Sequence, residues 1–153
     1  MKCRKLLYMI ALLLVLMLFS SCKKYEGPYI FFRQEHENID RIEICSYNWK
    51  TDTKTVVATL TEAEANHMAL DLAALNCKQY YPGDHSRTYG SFIVCIIYSD
   101  CEQEWIGPYN IGFVTSDGVK GLTNYYPASE AELWNLVVKH TDENALTQLK
   151  RTE

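Results

Sequence analysis

The chain has 153 residues and a formal net charge of −4, to which Lys2, Arg4 and Lys5 near its start contribute +3. The part of the chain after these residues therefore carries −7. Such an acidic surface is unsuited to nucleic acids and to broad contact with anionic lipids, because both select clusters of Lys and Arg. Residues 22–153 suffice for one domain with its own hydrophobic core.

Residues 1–21 have the order of a secretory signal peptide. A basic start is followed by the uninterrupted apolar run Leu6–Phe19 and by the small residues of Ser20-Ser21-Cys22. The apolar run has 14 residues, fewer than the roughly 20 that a membrane-spanning helix needs. The segment is therefore predicted to direct export and not to form part of the folded domain.

The end of this segment resembles the lipobox of bacterial lipoprotein precursors, with Phe19 at a position where that class usually has Leu. The resemblance implies cleavage before Cys22 and attachment of a diacylglycerol to its thiol. The protein would then be anchored by lipid to a membrane of the bacterial cell envelope and face outside the cytoplasm. An uncleaved anchor and an ordinary signal peptide with an incidental cysteine are the alternatives.

Residues 22–28 are predicted to be a short tether between the anchor and a domain that spans residues 29–153. Six extended residues reach only about 20 Å, so the domain should lie close to the membrane. The apolar segment Tyr29–Phe32 is typical of a strand and is predicted to be the first one.

Two helices are indicated by matching start signals. Thr61 and Ser129 are each followed three residues later by a glutamate, which is the pattern of a capping box. Apolar residues then recur with helical spacing, which predicts helices over 62–76 and from 129 to about 140. The apolar stripes of both helices are expected to form the core with two central strands, through Met68, Leu72, Leu75, Leu133, Leu136, Val137, Ile42, Ile44, Val94 and Ile96.

The rest of the domain is predicted to be strands joined mainly by hairpins. Further strands are expected over 39–49, 54–60, 91–98, 101–106, 111–115 and 119–124. The order is roughly β-β-β-α-β-β-β-β-α, and hairpins dominate over crossover connections. We therefore predict an α+β fold in which a single antiparallel sheet carries both helices on one face.

Four cysteines remain once Cys3 leaves with the signal peptide and Cys22 receives lipid: Cys45, Cys77, Cys95 and Cys101. Outside the cytoplasm they can form two disulfides in three ways or stay reduced, and the sequence favours neither state. Their spacing includes no CxxC pair and no nearby histidine, so no metal site is expected.

Signals for catalysis are weak. His67 and Asp71 are one helical turn apart, but a solvent-facing pair is the better interpretation than a shared metal. The chain has no G-x-S-x-G motif and no glycine-rich phosphate loop. We therefore expect a protein that is not an enzyme and that uses no metal or cofactor.

Aromatic residues give the only suggestion of a binding surface. Tyrosine and tryptophan offer a large rigid contact area with a polar tip, and they are enriched in recognition surfaces. The candidates near turns and strand ends are Tyr80, Tyr81, Tyr89, Trp105, Tyr109, Tyr125 and Tyr126. Packing of these rings into the core and at sheet edges is the competing interpretation.

In layout, the chain resembles other small bacterial lipoproteins with one α+β domain. The first functional hypothesis is a membrane-anchored interaction module without catalysis, such as an inhibitor or immunity-type partner of another protein. The alternative is an envelope lipoprotein that binds a small ligand or glycan through its tyrosine-rich loops. A flat face with exposed aromatic residues favours the first, and a concave pocket lined by Tyr and Trp favours the second.

Overall fold

The computed structural model describes residues 26–29, 32–48, 50–79 and 91–150. Within these ranges, the structure contains nine strands, three α-helices and a 3-10 turn at His36–Asn38. The strands are β1 Glu26–Pro28, β2 Ile39–Asn48, β3 Thr53–Thr59, β4 Asn76–Gln79, β5 Phe92–Tyr98, β6 Gln103–Ile106, β7 Ile111–Val114, β8 Lys120–Leu122 and β9 Tyr125–Pro127. The helices are α1 Glu62–Ala74, α2 Glu130–Lys139 and α3 Glu143–Lys150.

The strands form two antiparallel sheets, so the prediction of a single sheet is wrong. The large sheet has six strands in the order β3-β2-β5-β6-β7-β8, and the small sheet has three in the order β1-β4-β9. All three strands of the small sheet were missed by the sequence analysis. They have three or four residues each, too short for an alternating pattern, and their partners are distant in sequence.

Part of the predicted tether before Tyr29 belongs to the small sheet. Residues 26–28, which the sequence placed in the tether, form β1 and pair with Asn76–Lys78 of β4. Tyr29 and Phe32 lie outside any strand, and residues 30 and 31 fall outside the described ranges. Tyr29 is fully buried instead, and its backbone N–H donates to the carbonyl of Leu75.

Strand β5 lies inside the large sheet because it is apolar at every position. Phe92, Val94, Ile96 and Tyr98 point to one side and join the main core cluster. Ile93 and Cys95 point to the other side and join a second, smaller cluster. Both sides of β5 are buried, as is typical of a central strand, and β5 lies between β2 and β6 in the large sheet.

The two predicted caps are confirmed. Thr61 Oγ1 accepts from the backbone N–H of Glu64, and the Glu64 carboxylate accepts from the backbone N–H of Thr61 at 2.9 Å. Ser129 Oγ accepts from the backbone N–H of Glu132 at 3.3 Å. The Glu132 carboxylate does not close the box but accepts from Asn76.

Helix α3 was not predicted from the sequence. Asp142 begins it, because its carboxylate accepts from the backbone N–H of Ala145 at 2.8 Å. Ala145 and Leu149 are buried, at 3% and 2% exposure. One buried pair four residues apart is a weak periodic signal in a helix of eight residues, which is why the pattern went unnoticed.

The predicted core is confirmed on one side of the large sheet. All ten predicted core residues lie in or against one cluster with the described helices, and only Leu136 is partly buried. Cys77 and Tyr125 add the small sheet to the same cluster, and Tyr29, which follows β1, also belongs to it. The described helices and the small sheet therefore share one side of the large sheet, and no described helix packs against its other side.

Candidate functional site

The open face is the side of the large sheet that points away from the main core. Among the described residues, its buried cluster is Cys45, Ile93 and Cys95, packed against Tyr47 and Trp105, and no helix residue belongs to it. A pocket of about 750 Å³ lies over this cluster. Such a volume is within the range of small-molecule sites, about 300–1,000 Å³.

Trp105 forms the main wall of the pocket. It lies on β6 opposite Gly112 of β7, and a Cβ atom at residue 112 would be 2.1 Å from Trp105 Cζ2. The missing side chain of Gly112 therefore lets the indole lie flat across the neighbouring strand. Ile93, Val114 and Leu122 complete the apolar lining.

Polar groups lie around the apolar part of the pocket. Lys54 Nζ donates to Gln103 Oε1 at 3.3 Å, and the hydroxyl of Tyr47 donates to the Asp52 carboxylate at 2.6 Å. Lys120 is a second lysine in the lining. The pocket thus combines a flat aromatic wall with two ammonium groups and two acidic residues: Asp52, whose carboxylate already has a hydrogen-bond donor, and the buried Glu104.

Two thiols lie side by side on the open face. Cys45 and Cys95 are on neighbouring strands, their Sγ atoms are 4.0 Å apart, and Lys54 Nζ is 3.9 Å from Cys95 Sγ. The hydrogen bond from Cys45, assisted by the Lys54 ammonium, outweighs burial and holds the pKa of Cys95 below its usual value. The same bond and burial raise the pKa of Cys45.

The other two described thiols differ from this pair. Cys77 lies in the small sheet and is fully buried, and burial together with the charge of Glu132 raises its pKa to about 12. Cys101 is an exposed free thiol in the turn between β5 and β6. None of the four predicted cysteines is in a disulfide within the described part of the chain.

Of the predicted aromatic residues that the structure describes, only one lines the pocket. Trp105 is there, whereas Tyr109 donates to the Glu130 carboxylate at 2.5 Å near the start of α2. Tyr125 and Tyr126 lie half-buried in β9 of the small sheet. Tyr80, Tyr81 and Tyr89 fall outside the described residues, as does Cys22.

Several pocket residues were missed by the sequence analysis. Tyr47 and Lys54 are in the predicted β2–β3 hairpin, and alternation along the hairpin placed them on one side of the sheet. Which side faces the helices could not be read from β5, because it is apolar on both sides. Without that information, the open face had no distinguishing signal.

Of the weaker sequence candidates, His67 is exposed and Asp71 has a structural role. The Asp71 carboxylate accepts from Lys139 Nζ at 2.7 Å and contacts His140 Nε2 at 2.5 Å, which joins α1 to α2. These contacts, first that with Lys139, lower the pKa of Asp71. No group of three or more His, Cys, Asp or Glu side chains in the described ranges is placed to hold a metal ion.

Comparison with known proteins adds no relative. No protein family matches the chain, and no curated protein or solved structure is significantly similar to it. Among the helices of the described residues, none has the length and apolar character required to cross a membrane.

Proposed function

We propose that the protein is a non-catalytic binding module, held at a bacterial envelope membrane by a lipid on Cys22, that takes a small ligand in the open-face pocket. The observation that carries this proposal is the concave site with Trp105 as its wall over a buried apolar floor. A concave, mostly apolar site with a few polar groups is the usual form of a small-molecule site.

The lining favours a ligand with a flat apolar body and an anionic group. The indole of Trp105 offers a stacking surface, and Lys54 and Lys120 supply positive charge near it. The nearby Asp52 carboxylate already accepts from Tyr47. An anionic ligand therefore meets two ammonium groups beside the apolar wall, and because Lys54 and Lys120 are exposed, salt should weaken this attraction.

A protein partner is the second candidate, and the edge of the large sheet favours it. Strand β8 is the last strand of that sheet. Val119, just before it, is 57% exposed, and Leu122, its last residue, is 51% exposed. Exposed edge strands accept an added strand from a partner through backbone hydrogen bonds. An inhibitor or immunity-type function would use this edge.

Ligand-observed NMR with indole-3-acetate, a flat aromatic carboxylate, tests the pocket. The full chain in lipid nanodiscs should bind this probe, and Trp105→Ala should weaken binding by roughly tenfold because the stacking surface is lost. Lys54→Gln should weaken it by several-fold. Tyr109→Ala is the matched control, since Tyr109 is an exposed aromatic residue outside the pocket, and it should bind like the unmodified protein.

The opposite pattern rejects the ligand proposal. If Trp105→Ala binds normally, or if the unmodified chain ignores the probe, the pocket does not take this class of ligand. Loss of binding in Tyr109→Ala alone would move the site to the tyrosine-containing loops.

A further inference from the structure

Cys45 and Cys95 are arranged as a reactive pair and not as two independent core residues. Their Sγ atoms are 4.0 Å apart on strands that are hydrogen-bonded neighbours, where Cys45 is opposite Ile93 and Cys95 is opposite Glu43. Both thiols are nearly or fully buried, yet Cys95 lines the floor of a pocket open to solvent. A small molecule in the pocket can therefore reach Cys95 first.

The surroundings give the two sulfurs different roles. Lys54 Nζ is 3.9 Å from Cys95 Sγ, and an ammonium group next to a thiol stabilises the thiolate, which is the nucleophilic form. Cys45 donates a hydrogen bond to Cys95. A carboxylate, that of Glu43, also lies close to the pair. Its Oε1 atom forms an ion pair with Arg41 Nε at 2.9 Å, which offsets its negative charge.

We propose that Cys45 and Cys95 form a redox-active dithiol that exchanges with small disulfides entering the open-face pocket. Cys95 is the attacking sulfur and Cys45 is the resolving sulfur. This activity is independent of the ligand class proposed above, since it requires only a disulfide small enough for the pocket.

The reaction runs in two exchange steps. The Cys95 thiolate attacks one sulfur of a disulfide RS–SR, which forms the Cys95–SR bond, breaks the S–S bond and releases a thiolate that takes up a proton. Cys45 then loses its proton and attacks Cys95 Sγ, which forms the Cys45–Cys95 disulfide and expels the second thiol. The protein dithiol is oxidised by two electrons, and the small disulfide is reduced to two thiols.

The position of the two cysteines favours a disulfide that forms reversibly over a permanent structural disulfide. Cys45 and Cys95 are diagonal neighbours on the two strands, and diagonal residues are farther apart than the directly opposite residues that strands usually link. Closing the sulfurs to about 2 Å therefore strains the sheet. Strained disulfides are the more easily reduced ones.

The test uses the full chain in nanodiscs, reduced and then treated with hydroxyethyl disulfide, with each thiol followed by peptide mass spectrometry. The unmodified chain and Cys101→Ser should form the Cys45–Cys95 bond. Cys45→Ser should stop at a mixed disulfide on Cys95, and Cys95→Ser should leave Cys45 unreacted. The exposed Cys101 shows that the reagent is active, and the buried Cys77 stays unmodified in any variant that is folded.

Lys54→Gln tests the pair without replacing either cysteine. Because Lys54 is exposed, this variant should fold like the unmodified protein. The substitution removes an ammonium group that helps to lower the pKa of Cys95. The thiolate fraction should therefore fall and formation of the Cys45–Cys95 bond should slow by several-fold, since the higher nucleophilicity of a more basic thiolate offsets part of the loss. The proposal is overturned if Cys101 reacts while Cys45 and Cys95 stay reduced, or if Cys45 reacts as fast in Cys95→Ser as in the unmodified chain.

Discussion

Glu104 brings a carboxyl group into the interior of the protein, where it is only 2% exposed. One of its oxygens accepts from the hydroxyl of Tyr98 at 2.9 Å and from the backbone N–H of Arg33 at 3.2 Å. Burial raises its pKa to about 8, against a smaller opposing effect of the Arg33 hydrogen bond. The folded protein therefore keeps a proton on Glu104 at pH values where the unfolded chain has lost it.

Glu104 should make the protein less stable as the pH rises. The raised pKa means that the folded state binds more protons than the unfolded state between about pH 4.5 and pH 8, so the free energy of unfolding falls through this window. Glu104→Gln removes the titration. At pH 8 the free energy of unfolding of this variant should therefore exceed that of the unmodified protein by up to about 5 kcal/mol. Urea unfolding of both proteins at pH 5 and pH 8 measures this. Equal pH dependence in the two proteins would contradict the assignment.

At the residue scale, the sequence indicated some site residues and could not indicate others. Trp105 was identified because an indole near a strand end is recognisable in the sequence alone. The proximity of Cys45, Cys95 and Lys54 was not, because it depends on the register of three adjacent strands. Residue spacings of 50 and 41 in the chain carry no motif from which that register could be read.

The helices show how far local signals reach. The starts of α1 and α2 were predicted correctly because a cap acts over only four residues. The structure has a complete capping box at Thr61 and the side-chain cap alone at Ser129. Strands β1, β4 and β9 lack any comparable local signal. Their pairing depends on residues about 50 positions apart, which is why the second sheet was missed.

Loss of either cap should destabilise the domain. Thr61→Ala and Ser129→Ala are each expected to lower the free energy of unfolding by about 1 kcal/mol. The effect at Thr61 should be larger, because its hydroxyl also donates to Glu64 at 2.7 Å. Thr147→Ala within α3 is the matched control, since Thr147 is exposed and its hydroxyl donates to a carbonyl of its own helix; it should change stability by less than about 0.5 kcal/mol. Urea denaturation measures these changes. A loss of stability in Thr147→Ala as large as that in Thr61→Ala and Ser129→Ala would contradict the role of the caps.

Helix α1 offers a direct test of the core with two leucines two residues apart. Leu72 is fully buried and Leu70 is 62% exposed. Leu72→Ala should cost about 2–5 kcal/mol because it leaves a cavity between α1 and the large sheet, and Leu70→Ala should cost less than about 0.5 kcal/mol. Thermal or chemical denaturation of both variants decides the matter. Similar midpoints would mean that α1 does not pack on the sheet as the structure has it.

At the scale of the whole molecule, the described helices and the small sheet pack against the same side of the large sheet. The small sheet and all three helices contribute to the main cluster, and the described part of the open face carries only its own side chains. A single sheet with two helices, as predicted, would have had the same open face. The error in the fold therefore did not hide the site; the missing strand register did.

Membrane attachment is a prediction from the N-terminal sequence alone. Cys22→Ala should yield protein that is unprocessed or released and that no longer partitions into the detergent phase, because the lipidated thiol is absent. Cys101→Ala is the matched control, since its thiol is exposed in a turn of the domain, and it should partition normally. Phase separation of both variants, expressed from the full chain, measures this, and normal partitioning of Cys22→Ala would refute the lipid anchor.

We propose that ligands bind on the open face of the large sheet. Backbone amide NMR of the full chain in nanodiscs, titrated with indole-3-acetate, tests it most directly. We expect the chemical shift changes to centre on Ile93, Cys95, Trp105 and Leu122, which surround the pocket. Changes centred instead on Tyr109, Tyr125 and Tyr126, or no changes at all, would contradict the account.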